Sequence, residues 1–200
     1  MPSTCARAAL IGLLVFLAAS RLQAQWAIAT GVRAPRFTGG AVEPGTGRSL
    51  RPYRPTMWEI ELDRMERRVG VGLRLNYASS SLALEGSDAL SAVKDALEVY
   101  GIDPEISVRL GGIGPEGVLR VYAGPLLEIW KLPDVGSHLR VGVGASVGLE
   151  VPFGGRWAGS ARVGGAVTPS SPFAEEDLEP PLERRALWRR EASAALRYRM

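Results

Sequence analysis

The sequence predicts an all-β chain, eight antiparallel strands wound up and down into one transmembrane barrel, and three observations predict it. Behind an apolar N-terminal segment, apolar and polar residues alternate with a period of two from Trp26 to Met200. Eight such segments of roughly 9–13 residues stand out, close to the ~9–11 tilted residues with which a strand crosses a bilayer. The connections between them alternate in length, and an even strand count returns both ends of the chain to one side.

The first 24 residues, MPSTCARAALIGLLVFLAASRLQA, carry Arg7 in a short n-region, an apolar core from Ala8 to Ala19, and a small-residue cleavage site after Ala24. This is the pattern of a secretory signal peptide, and the core of about a dozen residues falls short of the ~20 that a spanning helix needs. The chain therefore divides into a leader at 1–24 and one barrel domain at 25–200. Cys5 precedes the apolar core, unlike the lipid-modified cysteine of a lipoprotein, and cleavage leaves no cysteine behind. Removal of Arg7 and Arg21 leaves 22 basic residues against 21 acidic ones, so the charge falls from +3 to +1. Nucleic acid requires a clustered basic face, whereas arginine is scattered here among acids, so that partner is excluded. One histidine and no cysteine in the exported chain exclude a structural zinc site.

The first strand, WAIATGVRA, sets Trp26, Ile28, Thr30, Val32 and Ala34 on one face and Ala27, Ala29, Gly31 and Arg33 on the other. In the second, MWEIELDRM, Trp58, Ile60 and Leu62 alternate with Glu59, Glu61 and Asp63; a helix cannot segregate residues two apart. The third, VGVGLRLNY, alternates Val69, Val71, Leu73, Leu75 and Tyr77 with Gly70, Gly72, Arg74 and Asn76, and the fourth, EISVRLG, opposes Ile106, Val108 and Leu110 to Ser107 and Arg109. The fifth, VLRVYAGPLLEIW, places Leu119, Val121, Ala123, Leu127 and Ile129 opposite Arg120, Tyr122, Gly124 and Glu128, with Pro125 predicting a bulge or irregularity. LRVGVGASVGLEV is the clearest, with Val141 to Val151 alternating with Arg140, the glycines and Glu150. WAGSARVGGAV sets Trp157, Ala161 and Val163 against Ser160 and Arg162. The last strand alternates Trp188, Ala192, Ala194, Leu196, Tyr198 and Met200 with Arg189, Glu191, Ser193, Arg197 and Arg199.

The connections are long at 35–56, 86–104 and 168–185, moderate at 131–137, and short at 66–68, 112–117 and 152–156. Outer-membrane barrels pair short periplasmic turns with longer extracellular loops. The aromatics form two girdles: Trp26, Phe153, Trp157 and Tyr198 at the periplasmic rim, and Trp58, Tyr77, Trp130 and Trp188 at the outer rim. Strict parity turns Trp130 inward, so its place in the girdle requires a bulge at the end of the fifth strand. Residues 88–100, DALSAVKDALEVY, predict a short helix in an extracellular loop, with Asp88 as N-cap and Leu90, Val93, Leu97 and Tyr100 on one face.

The polar face supplies the lumen: Arg33, Glu59, Glu61, Asp63, Arg74, Arg109, Arg120, Tyr122, Glu128, Arg140, Glu150, Arg162, Glu191 and Arg197, together with Arg189 and Arg199. An eight-stranded barrel is just wide enough for side chains to fill it, so these charges form a packed ion-pair network rather than an open channel. GGIGPEG at 111–117 lacks the Gly-Lys-Ser/Thr ending of a phosphate loop and reads as a turn. His138, beside Ser137 and Asp134, does not make a nucleophilic triad, which is recognised by geometry rather than adjacency. FAEEDLE at 173–179 reads as a solvated acidic loop. No catalysis and no cofactor follow from these residues.

Over essentially all of residues 25–200 the chain resembles the small eight-stranded outer-membrane barrels of the OmpA/OmpX type. The most specific local feature is the C-terminus ALRYRM, where Leu196, Tyr198 and Met200 hold alternating positions and Met stands where such barrels carry a terminal aromatic. The resemblance implies a place in the bacterial outer membrane, contact with its lipid and lipopolysaccharide, recognition of the last strand by the barrel-assembly machinery, and a monomer. It also implies a structural or surface-interaction role through the extracellular loops: membrane integrity, adhesion or recognition. The alternatives are a small-solute pore, a lipid-modifying barrel enzyme using His138, and a soluble periplasmic barrel with a ligand inside. Alternation alone does not distinguish the inside from the outside.

Overall fold

In a β-strand successive side chains point to opposite faces, so a chain that alternates this regularly must be given two different environments. The computed structural model describes residues 25–43, 45, 48–85, 90–114, 116–132, 136–169 and 183–200, and they form β1 (Gln25–Val42), β2 (Ser49–Tyr53), β3 (Met57–Met65), β4 (Val69–Glu85), β5 (Leu90–Ile113), β6 (Gly117–Leu132), β7 (Gly136–Gly154), β8 (Trp157–Thr168) and β9 (Glu183–Arg199). Every neighbouring pair is antiparallel, and β9 returns to β1 from Ala27↔Arg199 to Val42↔Glu183. β2 and β3 are successive pieces of one stave, since both pair with β1 on one side and β4 on the other. They are separated at 54–56, where Arg54 adopts a φ of 46°. The ring therefore has eight positions and is closed by the ladder between β1 and β9.

The staves run farther than the sequence predicts. β1 continues to Val42 and β2 occupies 49–53, so much of the expected loop at 35–56 is barrel wall. The helix expected over 88–100 is corrected to a strand from Leu90 onward, paired to β4 from Glu85↔Leu90 to Tyr77↔Tyr100; Asp88 lies outside the described residues. Local helix propensity is a weak prior that tertiary context overrides, and here β4 pairs with this part of β5 on one side, with β6 joining on the other from Glu98 onward. Among the described residues there is no helix. The leader at 1–24 and the acidic segment at 173–179 also lie outside them.

Pro125 produces no bulge against β7, where the register is unbroken from Val118↔Glu150 to Leu132↔Gly136. Toward β5 the ladder is interrupted between Ile102↔Leu127 and Ile106↔Ala123. That interval holds Pro104 on one strand and Pro125 on the other, and neither has an N–H to donate.

Burial alternates along the walls, most clearly in β3, where Met57, Glu59, Glu61 and Asp63 are buried while Trp58, Ile60 and Leu62 are exposed. The charged face is inside and the aliphatic face outside. The sense changes toward the end of the barrel away from Gln25 and Met200. There Phe37, Met57, Leu97, Val99, Trp130, Leu132 and Leu187 fill the interior as one apolar cluster, while Arg36, Thr38, Ser79 and Lys131 are exposed. The barrel thus has two tiers, one charged inside and apolar outside, the other apolar inside and polar outside.

Candidate functional site

The charged tier is built from inward positions of neighbouring staves. Arg33 on β1 donates from Nε to Glu59 at 3.0 Å and faces Asp103 at 3.3 Å and Glu191 at 3.6 Å. Glu61 on β3 is the hub: Arg74 lies 3.1 Å away, Arg162 2.6 Å and Arg197 3.1 Å. Arg74 and Arg162 share Glu105, each at 2.7 Å. Arg197 pairs with Asp63 at 2.7 Å, and Arg199 with Glu150 at 2.5 Å. Arg189 bonds Glu128 and meets Glu191 at 2.8 Å. Removing such charges from water costs several kcal/mol per ion unless each is paired and hydrogen-bonded, and nearly every guanidinium here has more than one carboxylate.

Two details fix the arrangement. The Arg162 guanidinium lies 3.7 Å from the ring centroid of Tyr122, which is inward and buried. Gly148, between them in the wall, leaves that space open, since a Cβ there would come within 2.8 Å of Arg162 Cγ and 3.0 Å of the Tyr122 ring. Asn76 donates to Asp103 at 3.0 Å.

Glu61, Asp63 and Glu105 bring oxygens within 4.8 Å of one another. Arg74, Arg162 and Arg197 occupy the same space and neutralise them, so the donor set is satisfied by guanidinium rather than shaped for a metal. Arg140 is half-buried toward the apolar tier, and Arg109 is exposed at the rim that holds the chain termini.

Sequence reasoning missed Asp103 and Glu105, which bind three of the central arginines. Pro104 between them reads as a loop, yet their alternation with Ile102 and Ile106 continues the period of the fourth strand. It also misplaced Trp130, which is corrected from the girdle to the interior. Trp130 is 0% exposed, its ring stands 5.8 Å from Phe37 at 76°, and its Nε1 donates to Glu128 at 3.2 Å. Parity through β6 is unbroken, and the apolar tier accepts an inward indole.

The other girdle residues, Trp26, Trp58, Tyr77, Phe153, Trp157 and Trp188, point outward, and Tyr198 meets Trp157 edge to face, ring centroids 4.9 Å apart. Tyr100, read from sequence as helical, joins Tyr77 at 5.1 Å on the outer surface. Leu196 and Met200 are exposed on β9 and just beyond it. His138 is half-buried at the start of β7, opposite Trp130 in the ladder.

Comparison with known structures gives the fold. The chain is similar to the outer membrane protein OprG from Pseudomonas aeruginosa, with a TM-score of 0.58 and 9% identity over 88% of this chain and 96% of that one. It is similar to Neisserial surface protein A, with a TM-score of 0.57 and 10% identity over 86% and 96%. A third is Ail, the attachment invasion locus protein of Yersinia pestis in complex with the heparin analogue sucrose octasulfate, at 0.51 and 13% over 90% and 100%. The fold is therefore that of the small outer-membrane β-barrels. No protein-family model matches the chain, and no curated protein matches it.

Proposed function

We propose that the chain is an integral β-barrel of the bacterial outer membrane, exported by the leader at 1–24, with a lumen closed by its own side chains and a structural or surface-interaction role rather than a catalytic one. The observation that carries this reading is the outward aliphatic band, which includes Ile28, Ile60, Leu75, Ile102, Val147 and Val163. A continuous exposed apolar belt around a closed barrel marks an interaction surface, and a closed barrel satisfies its backbone without water.

The band has the height of a membrane. Trp188 and Tyr198 on β9 lie ten residues apart, which is ~33 Å along the strand at ~3.3 Å per residue and about 23 Å of height at a ~45° tilt. That is close to the ~25 Å apolar band of such barrels. The connections at 66–68, 114–116 and 155–156 have two or three residues and lie at the end that holds Gln25 and Met200, which supports reading that end as periplasmic. The apolar-cored tier then projects above the outer leaflet, where polar exterior and apolar interior suit water.

Lipopolysaccharide fits the outer margin of the band as a partner. Arg36 and Arg190 face outward directly opposite each other across β1 and β9, two residues to the membrane side of Trp188, where long arginine side chains reach toward the headgroup level. Paired guanidiniums at that height suit phosphate groups. The lower lumen is filled by ion pairs and the upper by the Trp130 cluster, so the reading expects no conducting path. Purified protein in a planar bilayer should give no single-channel steps; regular steps would replace this reading by that of a small-solute pore.

A further inference from the structure

We infer that the periplasmic mouth of the barrel holds a binding site for a phosphate-class oxyanion, centred on Arg120. A cavity of about 560 Å³ opens there, lined by Arg67, Arg109, Arg120 and Arg199 with only Glu66 and Glu150 as acids. Arg120 is 6% exposed and differs from the other buried lumenal arginines. Among the described residues its Nε and Nη1 have no hydrogen-bond partner, and its one hydrogen bond is a long one of 3.5 Å from Nη2 to the Glu66 carbonyl oxygen. Glu150 is engaged by Arg199 at 2.5 Å and by Arg197 at 3.6 Å.

A buried charge without a counter-charge is costly, and its surroundings add to that cost. Arg109 stands directly opposite Arg120 across β5 and β6, and like charges in that position repel. The wall bends at the same place, with the register shifting between Arg109 and Gly111. Two facing arginines, one with its Nε and Nη1 donors unspent, beside an open cavity whose lining carries four arginines against two glutamates, form a receptor for an anion. A tetrahedral oxyanion accepts from several guanidiniums at once and matches their fork of donors. It can come from free phosphate or from a phospholipid headgroup of the periplasmic leaflet. The site rests on the closed barrel, and only its periplasmic address rests on the outer-membrane reading.

The test is titration of folded protein with inorganic phosphate in zwitterionic micelles, read by ³¹P NMR and by the rise in melting temperature, against chloride at equal ionic strength. A parallel arm uses nanodiscs of phosphatidylcholine with and without phosphatidylglycerol. Wild type should bind in at least one arm, and Arg120→Gln should weaken that binding at least tenfold, whereas Lys131→Gln, far from the cavity, should leave it unchanged. Binding in the micelle arm identifies free phosphate as sufficient, and binding only with phosphatidylglycerol identifies the headgroup. Should Arg120→Gln not fold, Arg109→Gln at the exposed rim reads the same loss. Equal binding by wild type and variants, or no binding by wild type in either arm, overturns the site without touching the membrane assignment.

Discussion

Arg162 on β8 donates from Nη2 to Glu61 on β3 at 2.6 Å, joining two staves that lie across the lumen from each other. Both side chains are almost wholly buried. The same carboxylate meets Arg74 and Arg197, so one acid organises three guanidiniums drawn from β4, β8 and β9. A network of this kind closes the lumen and sets which residues of each stave face inward.

Breaking the hub leaves three buried cations short of charge. Glu61→Gln should lower stability by about 3–5 kcal/mol, the cost of removing one partner of a buried pair. Urea unfolding in lipid vesicles measures it. Arg162→Met in the same background should restore part of the loss, giving a coupling energy in a double-mutant cycle. A loss below about 1 kcal/mol would mean that water reaches and solvates these groups.

Trp130 and Trp58 sit three staves apart in the outer girdle expected from the sequence, yet one faces inward and the other is 64% exposed. In versions that retain only one tryptophan, lipids with brominated acyl chains should quench Trp58 strongly and leave Trp130 unaffected. Quenching of Trp130 would return it to the girdle and open the apolar tier. Trp130→Ala should also cost about 3–5 kcal/mol through the cavity it leaves.

Val163 points outward between Trp157 and the far end of β8. Val163→Arg should cost about 2–4 kcal/mol, the range for a cation at the bilayer midplane. Ser79→Arg, on the polar exterior beyond Tyr77, should change stability by less than about 0.5 kcal/mol. Equal effects at the two positions would argue against a boundary at the level of Tyr77.

With no cysteine after residue 24, single cysteines report topology directly. On intact cells a membrane-impermeant maleimide should label Lys131→Cys, on the projecting tier, and should not label Arg67→Cys, in a terminal-end turn. Reversed labelling would invert the barrel.

How much of this was legible in the sequence depends on what each residue meets. Ile60 and Glu61 belong to a stretch where one face touches the outside and the other the lumen, and the period of two states that division openly. Trp130 was misread because the rule of polar inside and apolar outside was carried past the level at which the exterior becomes polar; its unbroken parity with Glu128 held the signal. Leu90 to Tyr100 has helical spacing, and nothing local reveals that β4 extends far enough to claim it as strand. Asp103 and Glu105 were hidden by Pro104, since a proline between two acids imitates a loop. The excess of arginine at Arg109 and Arg120 emerges only from the register that sets them opposite each other.

The central claim is that the charged face lies inside a closed barrel whose aliphatic face meets lipid. Its most direct test is fractionation of cells expressing the full chain, with heated and unheated samples of each fraction run on SDS gels. The account predicts recovery in the outer membrane and a band that migrates faster before heating than after. Recovery as a soluble periplasmic protein with a single, heat-independent band would contradict it.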